Sequence, residues 1–107
     1  PVRCEYDDRR AFRRVYFRGE AQLTVGDEHF CVYTKDVSRS GMSFLHHQQL
    51  FPLDRATIWL PDDDSAQLEV VCCTRLGERC YACGAQAVDE ADGDTLLKVL
   101  RTVVSRS

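Results

Sequence analysis

Hydrophobic and polar residues alternate along most of the chain after Arg14, in short runs that end at Gly, Pro, Asp or Ser. A period of two places every second side chain on the same face, which is typical of an antiparallel sheet with one buried face. The alternation is clearest at Ala56, Ile58 and Leu60. The pattern predicts six strands, at residues 15–25, 28–35, 42–46, 55–60, 67–76 and 79–88.

Turns and a terminal helix complete the predicted architecture. Gly26-Asp27 and Gly77-Glu78 are glycine-containing tight turns between runs. Closing six strands on themselves removes exposed sheet edges, so we predict an antiparallel β-barrel over residues 15–88. Leucine and valine then recur at helical spacing, which predicts an amphipathic helix at residues 92–105 with Asp92 or Asp94 as its N-terminal cap. The fold class is therefore all-β with a terminal helix.

Length and hydropathy bound the class of protein. The chain has 107 residues, the size of one globular unit, and we expect residues 1–107 to form a single domain. Its first residue is Pro1 and not Met, so we expect an excised part of a longer protein. The sequence contains neither a long apolar span nor the apolar core of a signal peptide, which predicts a cytoplasmic protein without membrane insertion.

Charge is unevenly distributed along the chain. The net charge is −3, yet residues 1–18 carry six arginines against three acidic residues. The acidic remainder argues against sequence-independent binding of nucleic acid. The arginines predict a compact anion site, because a guanidinium group binds a phosphate or a guanine edge with two parallel hydrogen bonds. They also repel one another, so we expect residues 1–14 to form a flexible arm that an anionic ligand orders.

Two short motifs carry the candidate chemistry. An RxxxR motif at Arg10 and Arg14 lies directly before the first strand, and a DxSxxG motif at Asp36, Ser38 and Gly41 follows the second. Asp36 accepts hydrogen bonds, Ser38 offers a hydroxyl, and Gly41 permits the positive φ that a tight turn can require. Each motif alone is common, as a solvated basic arm or as a polar turn.

Together the two motifs resemble those of the PilZ domain, the bacterial receptor module for cyclic di-GMP. The resemblance covers nearly the whole chain and implies a six-stranded barrel with a C-terminal helix, without catalysis and without a cofactor. It also implies that ligand binding signals to an adjacent domain or to a separate effector protein. One departure is Ala85-Gln86-Ala87 after Gly84, where many members place a phenylalanine. We expect this departure to affect local packing more than ligand binding.

The resemblance assigns a role to each motif residue. Arg10 and Arg14 meet the phosphates and the O6 and N7 acceptors of the guanines, as arginine meets guanine in a DNA major groove. Asp36 accepts hydrogen bonds from guanine N1 and N2, and Ser38 completes the polar contacts. In the family, an arginine directly before RxxxR accompanies an intercalated ligand dimer. Arg9 therefore predicts two ligand molecules for each chain.

Three alternatives stand beside this interpretation. One is a PilZ-like barrel that acts only as a protein–protein interaction module, without nucleotide binding. Another is a small barrel that binds single-stranded nucleic acid, which the acidic body disfavours. The third is a zinc site at Cys72-Cys73 and the CxxC of Cys80 and Cys83, but residues three apart in a strand face opposite sides, so we expect no metal. We expect the six cysteines to be reduced.

Overall fold

The computed structural model describes the backbone of residues 15–60 and 64–106, and the side chains of residues 18–60 and 64–102. The predicted arm at residues 1–14 lies outside the described residues. The described elements are β1 (Val15–Val25), β2 (Glu28–Val37), β3 (Gly41–His46), β4 (Arg55–Trp59), β5 (Ser65–Gly77), β6 (Cys80–Ala87) and α1 (Glu90–Arg106). Every strand and the helix end within two residues of the positions that the alternation predicted.

The six strands form one closed barrel in the order β1-β2-β3-β6-β5-β4, and every neighbouring pair is antiparallel. Pairing of β1 with β4 through three residue pairs, centred on Leu23 and Ile58, closes the barrel. The predicted fold class, a six-stranded antiparallel barrel with a C-terminal helix, is confirmed. Among the described residues, no helix is long and apolar enough to cross a membrane.

Side chains at alternate strand positions fill the interior of the barrel. Leu23, Phe44, Ile58 and Leu68 come from four different strands and have no exposed surface. The helix adds Leu96, which is also fully buried, and α1 packs mainly against β5. Burying each side chain of this size stabilises the fold by about 2 kcal/mol. The apolar residues at alternate strand positions and those at helical spacing after residue 91 thus pack into one core.

The N-terminal cap of α1 is Asp89, so the prediction of Asp92 or Asp94 was wrong. The Asp89 carboxylate accepts a hydrogen bond from the backbone N–H of Asp92 at 3.1 Å, and this bond holds the pKa of Asp89 below its ordinary value. The helix begins two residues earlier than predicted, so its capping residue also lies nearer the N-terminus of the chain. Asp92 instead accepts a hydrogen bond from the backbone N–H of Gln67 at 2.9 Å and ties α1 to β5.

One of the two predicted glycine turns is placed differently. Gly26 occupies the turn between β1 and β2 with φ at 61°, as its sequence context predicted. Gly77 is still paired, with Cys80, so the turn between β5 and β6 falls at Glu78 and Arg79. Arg79 adopts the left-handed conformation, with φ at 54°. The predicted turn was therefore displaced by one residue.

The positive φ of Gly26 gives a first testable prediction. Gly26→Ala should lower the free energy of unfolding by about 1 kcal/mol, because a Cβ is strained in this conformation. No heavy atom lies within 4 Å of the added Cβ, so the loss comes from the backbone alone. Urea denaturation measures it. Gly19→Ala is the matched control, with equally open surroundings and no positive φ; an equal loss at Gly19 would contradict the prediction.

Candidate functional site

The DxSxxG motif spans the end of β2, a short turn and the start of β3. Asp36 lies at the end of β2, and Gly41 is the first residue of β3. The backbone N–H of Ser38 donates to the carbonyl oxygen of Gly41 at 2.8 Å and closes the turn. Gly41 then pairs with Gln86 of β6. The motif is therefore held in place by two neighbouring strands of the barrel.

Ser38 shapes this turn from the inside. Its side chain has no exposed surface, and its hydroxyl donates to the carbonyl oxygen of Gly41 at 3.3 Å. The same hydroxyl oxygen accepts the backbone N–H of Ser40 at 3.3 Å. A direct contact between Ser38 and a ligand stays a prediction. The structure adds a positioning role that the sequence did not reveal, because hydroxyl bonds within a turn fix its shape.

The expected reason for a glycine at position 41 was wrong. Gly41 lies in regular strand pairing, and Gly26 is the one glycine with positive φ in the described part of the chain. The two hydrogen bonds from Ser38 to the Gly41 carbonyl close the turn instead. Gly41 is buried, and its φ is not positive.

Asp36 carries an oriented carboxylate. Its Oδ1 accepts a hydrogen bond from the hydroxyl of Ser43 at 2.8 Å, across the register pair that joins β2 to β3. The strand register shifts between Thr34 and Asp36. Thr34 and Val37 both face the core, and the irregularity turns Asp36 to the outside between them. A carboxylate held in this way is a preorganised acceptor for hydrogen bonds.

Four residues on consecutive strands form what we call the outer row: Asp36 of β2, Ser43 of β3, Gly84 of β6 and Cys72 of β5, which pair in that order. Most of their neighbours along these strands are buried in the core: Val37, Met42, Phe44, Cys83 and Ala85. Gly84 adds no side chain to the row. Sequence reasoning missed Ser43, although its hairpin position opposite Asp36 was a usable signal. It considered Gly84 only for packing.

The predicted arginines Arg9, Arg10 and Arg14 lie outside the described residues. The structure does describe where the chain enters the barrel. Val15, the first residue of β1, pairs with Val37, and the next residue pairs with Asp36. Arg14 is bonded to Val15, and consecutive Cα atoms lie about 3.8 Å apart. The described part of the chain therefore begins beside the DxSxxG motif, and residue 14 directly precedes it in the sequence.

A cleft of about 520 Å³ lies between the turn and the start of α1. Asp89, Glu90 and Asp94 contribute acidic groups to its lining, and Arg39 contributes a basic one. Three carboxylates make this cleft unfavourable for phosphate groups. A Cβ on Gly93 would lie 3.3 Å from the carbonyl oxygen of Arg39, so the helix approaches the turn closely.

His46 is a buried histidine at the end of β3. Its side chain is 3% exposed, and its Nδ1 accepts the backbone N–H of His47 at 2.9 Å. The neutral ring therefore carries its proton on Nε2, which is buried and has no hydrogen-bond partner among the described residues. Burial, and secondarily the charge of His47, lower the pKa of His46. The fold thus favours the neutral ring.

This lowered pKa predicts a loss of stability in mild acid. As pH falls below about 6.5, the unfolded chain binds a proton at His46 more readily than the folded protein does, so folding weakens. The thermal midpoint should therefore fall when the pH is lowered from 7.5 to 5.5. The decrease should be smaller in His46→Phe. Thermal unfolding at several pH values in this range measures both decreases. Identical pH profiles for the two proteins would contradict the prediction.

The cysteines differ from the expectation at one position. Cys31, Cys73, Cys80 and Cys83 have free thiols. Cys72 is disulfide-bonded, so the expectation of reduced cysteines was wrong there. Within residues 18–60 and 64–102, no group of three or more His, Cys, Asp or Glu side chains is placed to hold a metal ion.

Residues 8–102 match the family model of the PilZ domain. The chain belongs to the PilZ domain family. The matched range contains both motifs of this PilZ domain, from Arg10 through Gly41. No curated protein matches its sequence.

Three solved structures share the fold of this PilZ domain. The inhibitor of motility MotI/DgrA of Bacillus subtilis is 16% identical with a TM-score of 0.62, covering 91% of this chain and 52% of its own. The K. pneumonia MrkH–c-di-GMP complex is 17% identical with a TM-score of 0.68, covering 92% and 53%. YcgR of Escherichia coli, in complex with c-di-GMP, is 13% identical with a TM-score of 0.66, covering 92% and 47%. This PilZ domain thus spans about half the length of these proteins, and the low identities establish the fold alone.

Proposed function

We propose that this PilZ domain is a receptor for cyclic di-GMP, which binds along the outer row between the RxxxR and DxSxxG motifs. The observation that carries the proposal is the Asp36 carboxylate, held by Ser43 at 2.8 Å beside the point where β1 begins. Family membership and the c-di-GMP complexes of MrkH and YcgR support it. Catalysis, a metal and a cofactor have no part in this proposal.

The ligand presents complementary chemistry to the two motifs. Guanine N1 and N2 are donors, and a carboxylate such as that of Asp36 accepts from both. Guanine O6 and N7 and the phosphates are acceptors, which the guanidinium groups of Arg10 and Arg14 bind in pairs. Gly84 places no side chain in the outer row, which suits a flat base lying across the strands. The acidic cleft beside α1 directs the phosphates away from the helix and toward the arginines.

Signalling follows from ordering of the N-terminal arm. Residues 1–14 concentrate positive charge, and a ligand with two phosphates neutralises it, so binding folds the arm over the barrel. The new surface passes the signal to an adjacent domain or to a separate effector protein. The close approach of Gly93 to the turn offers α1 as a second output element. Hydrogen exchange of the arm with and without cyclic di-GMP tests this step, and equal protection in both states would count against it.

Isothermal titration tests the proposed function. Cyclic di-GMP should bind with micromolar or better affinity, whereas GMP and a short oligonucleotide should bind far more weakly. GMP lacks the second guanine and phosphate. An oligonucleotide is repelled by the net negative charge of the protein. Absence of saturable binding at about 100 µM cyclic di-GMP, equivalent to less than about 5.5 kcal/mol of binding free energy, would overturn the proposal. It would favour a barrel that acts only through protein contacts.

Arg9 gives a prediction about stoichiometry. If Arg9 binds the second molecule of an intercalated dimer, titration should saturate at about two ligands for each chain, and Arg9→Leu should lower the ratio to about one. Affinity should stay measurable, because Arg10, Arg14 and Asp36 still bind the inner molecule. Arg13→Leu is the control and should leave the ratio unchanged. A ratio of one for the unmodified chain, or equal effects at both positions, would show that the arginine assignment is wrong.

A further inference from the structure

Two free thiols face each other across β5 and β6. Cys73 and Cys83 are a register pair of these antiparallel strands, and their Sγ atoms lie 3.5 Å apart. Residues paired in this way have Cα atoms about 4.5–5.5 Å apart. That spacing falls within the range of about 4.4–6.8 Å that a disulfide requires. The backbone is therefore already placed for a bond, and only the two side chains have to rotate.

The two thiols differ in their access to solvent. Cys83 is 1% exposed and belongs to the core, whereas Cys73 is partly exposed and packs against the core residues. Burial, and secondarily the neighbouring Cys73, raise the pKa of the Cys83 thiol. A thiolate reacts with oxidants and a thiol does not, so Cys73 is the first of the pair to react. Cys83 is held within reach to complete the reaction.

We propose that Cys73 and Cys83 are a site of reversible oxidation, at which hydrogen peroxide converts the dithiol to a disulfide. The Cys73 thiolate attacks one peroxide oxygen, the O–O bond breaks, and Cys73 becomes a sulfenic acid. The hydroxide that leaves takes up the proton that the Cys73 thiol released on ionisation and becomes the first water. The Cys83 sulfur then attacks the Cys73 sulfur, and the S–O bond breaks. The leaving hydroxide takes the Cys83 proton as a second water. Two thiols and one peroxide thus give one disulfide and two waters, and a dithiol reductant reverses the change.

The bond would link β5 to β6 directly beneath the outer row. Cys72 and Gly84, the outer-row members on these strands, are the chain neighbours of Cys73 and Cys83. The link closes a loop that contains the turn at residues 78–79 and restricts the unfolded chain. Oxidised protein should therefore unfold at a higher temperature than reduced protein. The proposal concerns the barrel alone and does not depend on cyclic di-GMP binding.

Mass spectrometry of the full chain tests the proposal. After treatment with hydrogen peroxide, proteolysis should yield the β5 and β6 peptides linked to each other, with two hydrogens fewer than the same peptides of untreated protein, and dithiothreitol should release the link. Cys73→Ser and Cys83→Ser should each abolish the link. Cys80→Ser is the matched control, since it changes a second free thiol in the β6 peptide and should preserve the link.

A second measurement keeps the result interpretable if Cys83→Ser does not fold. The thermal midpoint of peroxide-treated protein should rise, return after dithiothreitol, and stay unchanged by peroxide in Cys73→Ser. Cys31→Ser, which alters an exposed thiol on β2, should retain the full shift. The proposal is overturned if the link persists in Cys73→Ser, if it requires Cys80, or if peroxide yields only oxygenated thiols without a link.

Discussion

Replacement of Arg10 and Arg14 together by alanine is expected to weaken cyclic di-GMP binding by at least about 100-fold. Each arginine is proposed to make a bidentate contact worth about 1–3 kcal/mol, and the two act on separate acceptor groups of one ligand. The loss should be measured by titration at fixed ionic strength, because salt screens charge attraction. Each single substitution should weaken binding by about tenfold.

The same double variant should unfold at nearly the temperature of the unmodified chain. In the absence of an anion, the N-terminal arginines repel one another, so removing two of them costs no attractive interaction within the arm. Arg79→Ala with Arg101→Ala is the control pair, since it removes two exposed positive charges from a turn and from the helix. If the control pair weakens binding as much as the motif pair, general charge and not the RxxxR motif binds the ligand.

The fold was predictable from the sequence because each strand buries one face. Val32 and Ala66, for example, are almost completely buried and are flanked on both sides by exposed residues. This alternation is visible in the letters themselves. The order of the strands around the barrel is not visible there, since the pairing of β3 with β6 joins residues distant in sequence. The outer row exists only through that pairing.

The details of the site were less predictable from the sequence, because they depend on the local backbone geometry of turns and helix ends. The ligand contact of Ser38 stays a prediction, whereas its burial and its hydrogen bonds within the turn were not predicted, because they depend on the turn geometry. The cap of α1 was misplaced because several aspartates precede the apolar stripe, and only the hydrogen bond of Asp89 distinguishes them. Arg79, at positive φ where glycine is usual, shows that context can override a turn preference.

Asp36→Asn is expected to weaken cyclic di-GMP binding by about 10-fold to 100-fold, with little change in thermal stability. The side-chain oxygen of asparagine still accepts the hydrogen bond from Ser43, so the geometry is kept. The other carboxylate oxygen becomes an NH2 group, which is a donor and faces the N1 and N2 donors of guanine in the proposed complex. Two opposed donors cannot bond, and both lose solvent. Titration with cyclic di-GMP measures the change.

Two variants separate this effect from orientation and from charge. Ser43→Ala removes the bond at 2.8 Å but leaves the carboxylate, so binding should weaken by less than about tenfold. Asp27→Asn makes the same charge change in the turn at the other end of β2, which lies about 30 Å away because each strand residue adds about 3.3 Å. It should leave binding unchanged. If Asp36→Asn binds as tightly as the unmodified chain, the carboxylate does not recognise guanine, and the outer row is not the binding face.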